Sequence, residues 1–87
     1  MSKRDDLVEY TGDEDLLFLD EECFDAAIVG VTERCGQVNT VCYRTGKIIE
    51  ILIQNGMDDE DAWEYYYFNI AGAWVGDRTP TFLNIYE

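Results

Sequence analysis

The sequence contains no histidine, and only six of its 87 residues are lysine or arginine. Without histidine, the most common general base and the Ser–His and Cys–His nucleophile pairs are excluded. The sequence also lacks a glycine-rich stretch with the spacing of a phosphate-binding loop. We therefore expect a protein that is not an enzyme, with no catalytic residues and no cofactor.

Cysteine is scarce, and none of the three cysteines, Cys23, Cys35 and Cys42, belongs to a CxxC pair. An odd number with this spacing argues against a disulfide framework, and the lack of histidine argues against a zinc site. No metal is therefore expected. Arg34 precedes Cys35 and could activate its thiol, but a small buried cysteine on a helix face is the favoured interpretation.

Long hydrophobic runs are absent too. The opening MSKRDD is polar and turns acidic at once, unlike a secretory signal peptide, and no stretch is long enough to span a membrane. We expect a cytoplasmic protein that does not bind membranes.

What the sequence has in excess is negative charge, with a net charge of −13. Residues 1–25 hold ten acids against two bases, residues 26–57 two against three, and residues 58–87 seven against one. A field of this sign repels nucleic-acid phosphates and anionic membranes, and attracts basic protein surfaces. Direct nucleic-acid binding is therefore not expected.

The length of 87 residues predicts one domain, and a hydrophobic fraction of 47% is enough for a core. The helix and strand signals along the chain predict the α+β class. We expect an acidic flexible arm over 1–15 and a single domain over 16–87. In it, two or three helices pack on a small antiparallel sheet made from 39–44, 80–86 and a third candidate strand at 16–19. The alternative for "LLFL" at 16–19 is an apolar plug that docks on the domain.

Two helices have clear start and stop signals. Ile48, Ile49, Leu52 and Ile53 recur at helical spacing after Thr45, which is the expected N-cap, and Asn-Gly at 55–56 marks the end. Asp58 is a strong N-cap for the next helix, because Asp61 follows three residues later. The stretch 24–37 is ambiguous, since its valine and isoleucine favour a strand. We favour a helix there, with Asp25 as N-cap and Gly36 just past the end.

Several of these pieces together resemble a family of small uncharacterised proteins of tailed bacteriophages. The resemblance rests on "RCGQ" at 34–37, "GKIIEIL", "NGMDDEDAWEYYYFNIAGAWVG" and "TPTFL", which together cover about residues 26–83. The family pattern combines an Arg-x-Gly-Gln-like turn, a GMxxEEA helix start and FNxxGAWxGxxTPxF. The resemblance implies a phage origin, and therefore an infected host cell as the place of action.

Charge and resemblance together predict a phage-encoded inhibitor that binds a basic, nucleic-acid-binding surface of a host protein. Such a protein would act against host defence, for example as an anti-CRISPR, through carboxylates that imitate a phosphate backbone. The alternative for these acids is a solvated surface that only keeps the protein soluble. The predicted partner-binding residues are Asp13, Glu14, Asp15, Asp20, Glu21, Glu22, Asp58, Asp59, Glu60, Asp61 and Glu64.

A nucleotide-binding protein that sequesters a defence signal is the second hypothesis. Its arginines would hold phosphate and its aromatic rings would stack on a base. The residues predicted for this site are Arg34, Gln37, Tyr43, Asn69, Trp74 and Arg78. Each of them has a structural alternative, such as an ion pair or a place in the core. A regulatory or structural phage protein is the third hypothesis, and a homodimer is possible in any of the three.

Overall fold

The structure is a computed structural model that describes residues 3–73 and 75–85. Helices and a small sheet in one chain confirm the predicted α+β class. Its elements, in chain order, are α1 (Lys3–Thr11), a 3-10 helix (Glu22–Ala27), β1 (Ile28–Thr32), β2 (Thr40–Arg44), α2 (Thr45–Gln54), α3 (Asp59–Tyr65), a π-helical segment (Tyr66–Ala71) and β3 (Thr81–Leu83). No helix in the two described ranges is long and apolar enough to cross a membrane.

The sheet has β2 at its centre, with β1 antiparallel on one side and β3 parallel on the other. It is therefore mixed, whereas the sequence predicted an antiparallel sheet. The parallel pairing is possible because the chain crosses over between β2 and β3 through α2, α3 and the π-helical segment. The strands predicted over 39–44 and 80–86 are present as β2 and β3, and β3 is the shorter of the two.

The helix favoured over 24–37 is wrong, because the chain forms the 3-10 helix, then β1, and then an exposed turn. The β-branched residues of β1 pair with β2, with a bulge between Ile28 and Gly30. The two residues that were predicted to cap this helix, Asp25 and Gly36, have other structural roles. Asp25 binds Arg4, and Gly36 adopts a φ of 80° in the turn that joins β1 to β2.

Residues 16–19 are not a strand, so the third strand is β1 instead. Leu16 is buried, and Phe18 and Leu19 are half-buried against the hydrophobic core. The docking alternative therefore describes this segment. Its main-chain N–H at Leu19 donates a hydrogen bond of 2.9 Å to the hydroxyl of Tyr43, a fully buried residue of β2.

The segment predicted as a flexible arm is helical from Lys3 to Thr11 and contacts the domain. Leu7 and Val8 pack against the hydrophobic core, and the Nε of Arg4 lies 2.9 Å from both carboxylate oxygens of Asp25. Its Nη2 also donates to the main-chain oxygen of Leu19, at 2.6 Å. α1 has no buried residue of its own, so this arginine is the main polar attachment that positions it.

The two helices with clear sequence signals lie where they were predicted. α2 buries Ile48, Ile49, Ile51 and Leu52, and ends at Gln54 before the Asn-Gly pair. Thr45 does not cap it. Its hydroxyl lies 3.0 Å from the hydroxyl of Tyr66, so two buried polar groups satisfy each other and join α2 to the π-helical segment.

Candidate functional site

The acidic residues at the start of α3 point outward. Asp58 is the predicted N-cap, since its Oδ1 accepts the main-chain N–H of Asp61 at 2.8 Å. Carboxylates in the first turn also favour the positive end of the helix dipole. The five acids of this cluster are exposed, and none makes an ion pair with a described residue: Asp58, Asp59, Glu60, Asp61 and Glu64.

The first acidic cluster divides into two parts. Asp13 is half-buried and has a structural role, because Arg78 Nη1 lies 2.9 Å from its Oδ2. The main-chain N–H of Asp15 donates to Asp13 Oδ1 at 3.0 Å. The remaining predicted acids of this cluster are exposed and outside any ion pair with the described residues: Glu14, Asp15, Asp20, Glu21 and Glu22.

Four consecutive aromatic residues, "YYYF" at 65–68, follow the acids of α3, and their exposure to solvent differs. Tyr66 is buried with its hydroxyl at Thr45, and burial raises its pKa. Tyr67 is 61% exposed and stacks on Trp63, with 5.9 Å between the ring centroids. Phe68 is 76% exposed, although it is fully apolar. An aromatic side chain this exposed is a common feature of binding surfaces.

Tyr65 connects the two acidic clusters. On one side it lines a shallow depression of about 390 Å³ together with Asp61, Glu64 and Phe68. On its other side it lines a groove of about 320 Å³ together with Asp20 and Glu21. Asn69 lies between the two and lines both. We call this surface the aromatic–acidic face, and its members are Asp20, Glu21, Asp61, Glu64, Tyr65 and Phe68.

The residues predicted for a nucleotide site are not brought together. Arg34 and Gln37 lie on the exposed turn after β1 and line a depression of about 350 Å³, but Glu33 and Asp77 line it too. Carboxylates beside the only arginine there oppose phosphate binding. Asn69 lies at the aromatic–acidic face instead.

Two of the remaining predicted nucleotide ligands have structural tasks. Tyr43 is fully buried, so its ring cannot stack on a base, and burial raises the pKa of its hydroxyl. Arg78 is paired with Asp13. Trp74 lies outside the described residues. Of the described residues predicted for this site, Tyr43 and Arg78 thus have structural roles, whereas Arg34 and Gln37 lie at a depression that Asn69 does not line.

The described residues also show where the three cysteines lie and whether acidic or cysteine side chains are arranged to hold a metal ion. Cys35 is exposed on the turn after β1, so its predicted place on a buried helix face is wrong. Cys23 is exposed, and Cys42 is buried in β2. Residues 3–73 and 75–85 contain no group of three or more His, Cys, Asp or Glu side chains arranged to hold a metal ion.

Sequence reasoning identified the charges of the aromatic–acidic face but not its apolar members. Neither Tyr65 nor Phe68 is among the predicted site residues, and residues 16–19 were expected to form a strand or to dock on the domain. The available signal was the position of each apolar run beside acids, "DEDLLFLDEE" and "DEDAWEYYYF". Comparisons with protein-family models, with curated proteins and with solved structures find no match to this chain.

Proposed function

We propose that this protein is a non-enzymatic, phage-encoded inhibitor that binds a basic, nucleic-acid-binding surface of a host protein in the cytoplasm of the infected cell. The observation that supports it best is the aromatic–acidic face. Asp20 and Glu21 line the groove on one side of Tyr65, Asp61 and Glu64 line the depression on its other side beside the exposed Phe68, and none of these four acids is paired with a described lysine or arginine.

The physical basis is electrostatic and aromatic complementarity. A carboxylate accepts two parallel hydrogen bonds from one guanidinium group, as a phosphate does. Exposed rings such as Phe68 and Tyr67 also bind guanidinium groups through cation–π contact. A net charge of −13 steers the protein toward positive surfaces during diffusional encounter. A groove that is built to hold DNA or RNA presents these arginines and lysines.

The role against host defence rests on the resemblance of residues 26–83 to a phage family. Inhibition of a nucleic-acid-directed defence enzyme, such as a CRISPR effector, is one way in which a small acidic phage protein is useful to a phage. The negative charge supports a target with a basic surface. The resemblance supports an infected bacterial cell as the place where that target is bound.

The test begins with affinity capture from a bacterial lysate and continues with the purified captured protein. We expect that protein to lose its binding to DNA or RNA when this chain is added. The interaction should weaken strongly between about 0.1 M and about 1 M salt, over which the Debye length falls from about 10 Å to about 3 Å. A partner whose nucleic-acid binding is unaffected, or whose affinity does not change with salt, would contradict the proposal.

Charge-reversal variants locate the surface. The double variant Asp61→Lys with Glu64→Lys should weaken binding by at least about tenfold, which corresponds to about 1.4 kcal/mol. Asp58 has to be retained because it caps α3. The matched control, Glu9→Lys with Glu33→Lys, makes the same charge change at exposed acids away from this face. An equal loss in both double variants would show that net charge alone, and not this surface, drives binding.

A further inference from the structure

The groove on one side of Tyr65 is the most enclosed apolar surface of the aromatic–acidic face. One wall is the segment 17–19, and the other is the helical segment that carries Tyr65 and Ile70. Ala73, Val75 and Pro80 complete the lining. The volume of about 320 Å³ lies at the low end of the range of about 300–1,000 Å³ found for small-molecule sites, so the groove has the size for side chains and not for a large cofactor.

The charges at the rim of the groove are negative. Asp20 and Glu21 line it, and no lysine or arginine among the described residues does. The neighbouring base is Arg4, whose guanidinium lies 5.2 Å from the ring centroid of Phe18. It is already bound to Asp25 and to the main chain of Leu19, so it is not available to balance the rim. The groove therefore combines an apolar floor with an uncompensated acidic edge.

We propose that this groove receives a bulky apolar side chain from a partner protein segment that has basic residues on both sides of it. The inference rests on the proposed function and adds an anchor to it. The apolar side chain is buried against Ile70 and Tyr65, while flanking arginines or lysines reach Asp20 and Glu21 on one side and Glu64 on the other.

Charge also decides between the possible occupants. A second copy of this chain carries the same net charge of −13 and would bring acidic surface to an acidic rim. A lipid headgroup or another phosphate is repelled for the same reason. A basic segment with an apolar residue in its centre is the occupant that matches both the floor and the rim.

Three fluorescein-labelled peptides test this with the full chain, by fluorescence anisotropy at low salt. The first has a central Leu-Phe pair with three arginines on each side, the second replaces Leu-Phe by Gly-Ser, and the third replaces the arginines by glutamates. We expect the first to bind at least about tenfold more tightly than the second, because only the first buries apolar side chains. The third should not bind detectably.

Two variants test whether the difference in affinity between the Leu-Phe and Gly-Ser peptides depends on the groove. Ala73→Phe fills it, and Tyr65→Ala removes a wall. Each should reduce affinity for the Leu-Phe peptide to that of the Gly-Ser peptide. For Ala73→Phe, which leaves every member of the aromatic–acidic face in place, the affinity of the Gly-Ser peptide itself should not change. Tyr10→Ala is the matched control, because Tyr10 is 87% exposed on α1 and does not line the groove. Circular dichroism verifies the fold of every variant, and if Tyr65→Ala fails to fold, Ala73→Phe alone decides the question.

The outcomes separate the two proposals. Equal binding of both arginine peptides would overturn the groove but leave the acidic binding surface in place. No binding of either would overturn both. Binding of the glutamate peptide as tightly as the first would show that charge does not select the occupant, which also overturns the inference. Self-association in sedimentation experiments that is lost in Ala73→Phe would identify a second copy as the occupant and overturn it too.

Discussion

Arg78 Nη1 lies 2.9 Å from Asp13 Oδ2, an ion pair between residues that are 65 positions apart. This hydrogen bond, together with the main-chain N–H of Asp15, lowers the pKa of the Asp13 carboxyl. The pair joins the connection after α1 to the turn before β3. It therefore joins a segment that precedes the β1–β2 hairpin to a segment that follows the π-helical segment.

A pH dependence of stability follows from this ion pair. The folded-state pKa of Asp13 is below the unfolded value of about 3.9, so its contribution is complete above that value and is lost as pH falls through the folded-state pKa. We expect Asp13→Asn to lower the melting temperature at pH 7, and the difference from the unchanged protein to shrink below about pH 4. Melting curves from pH 7 to pH 2.5 measure this.

The matched control for that series is Asp15→Asn, which removes an exposed carboxylate outside any ion pair with the described residues. Its difference from the unchanged protein should stay small over the whole range. If Asp13→Asn and Asp15→Asn behave alike, the ion pair with Arg78 contributes nothing to stability.

Tyr43→Phe should destabilise the protein by about 0.5–1.5 kcal/mol, because it removes the acceptor of the Leu19 N–H in a partly buried hydrogen bond. The change leaves the ring, and with it the packing against Phe82, in place. Urea denaturation measures the free energy of unfolding. Tyr10→Phe is the control, since that residue is 87% exposed, and it should change stability by less than about 0.5 kcal/mol. A neutral Tyr43→Phe would mean that water replaces the lost acceptor.

Gly72→Ala should cost about 1–3 kcal/mol through overpacking. A methyl group at this position would lie 2.6 Å from the main-chain oxygen of Tyr67, and main chain cannot move aside as a flexible side chain can. Gly46→Ala tests the same substitution at the second residue of α2, where nothing apart from its chain neighbours and the backbone of its own helix lies within 4 Å of the added carbon. It should stabilise by about 0.5–1 kcal/mol, because alanine favours the helix. Thermal unfolding of the two variants should therefore shift in opposite directions.

Asp58→Ala should destabilise the protein by about 0.5–2 kcal/mol, since it removes the side-chain acceptor of the Asp61 N–H at the start of α3. Asp59→Ala makes the same change in charge at the next residue without removing a cap. Only the first variant should lower the urea midpoint by a clear margin. Equal effects in the two variants would assign the loss to the helix dipole and not to the cap.

The features that the sequence predicted well are local ones. The N-cap of α3 could be predicted because the capping hydrogen bond joins Asp58 to Asp61, only three residues apart. The end of α2 could be predicted because Asn-Gly directly follows its last residue, Gln54. β2 was recognised from a short β-branched and aromatic run. The prediction for residues 24–37 was wrong because the apparent helix caps and the β-branched residues conflicted. Pairing with β2, a contact across the sheet, determines that residues 28–32 form a strand.

The candidate site was predicted in part, for the same reason. Charge can be counted from the sequence, so Asp20, Glu21, Asp61 and Glu64 were named in advance. That these acids flank one aromatic surface depends on the packing of residues 17–21 beside Tyr65, which no periodicity encodes. The nucleotide site failed likewise, because nothing local shows that Tyr43 faces the core or that Arg78 reaches Asp13.

The central position of β2 also leads us to expect an order in which β1 and β3 pair with it during folding. Its partner residues in β1 are close along the chain, as the contact of Thr32 with Thr40 over eight positions shows, whereas Thr81 reaches Val41 across 40. Closing the shorter loop costs less conformational entropy, so we expect the hairpin to form before β3 pairs with β2. Until β3 pairs, one edge of β2 would be open to other chains, and we expect aggregation to compete with folding at that stage.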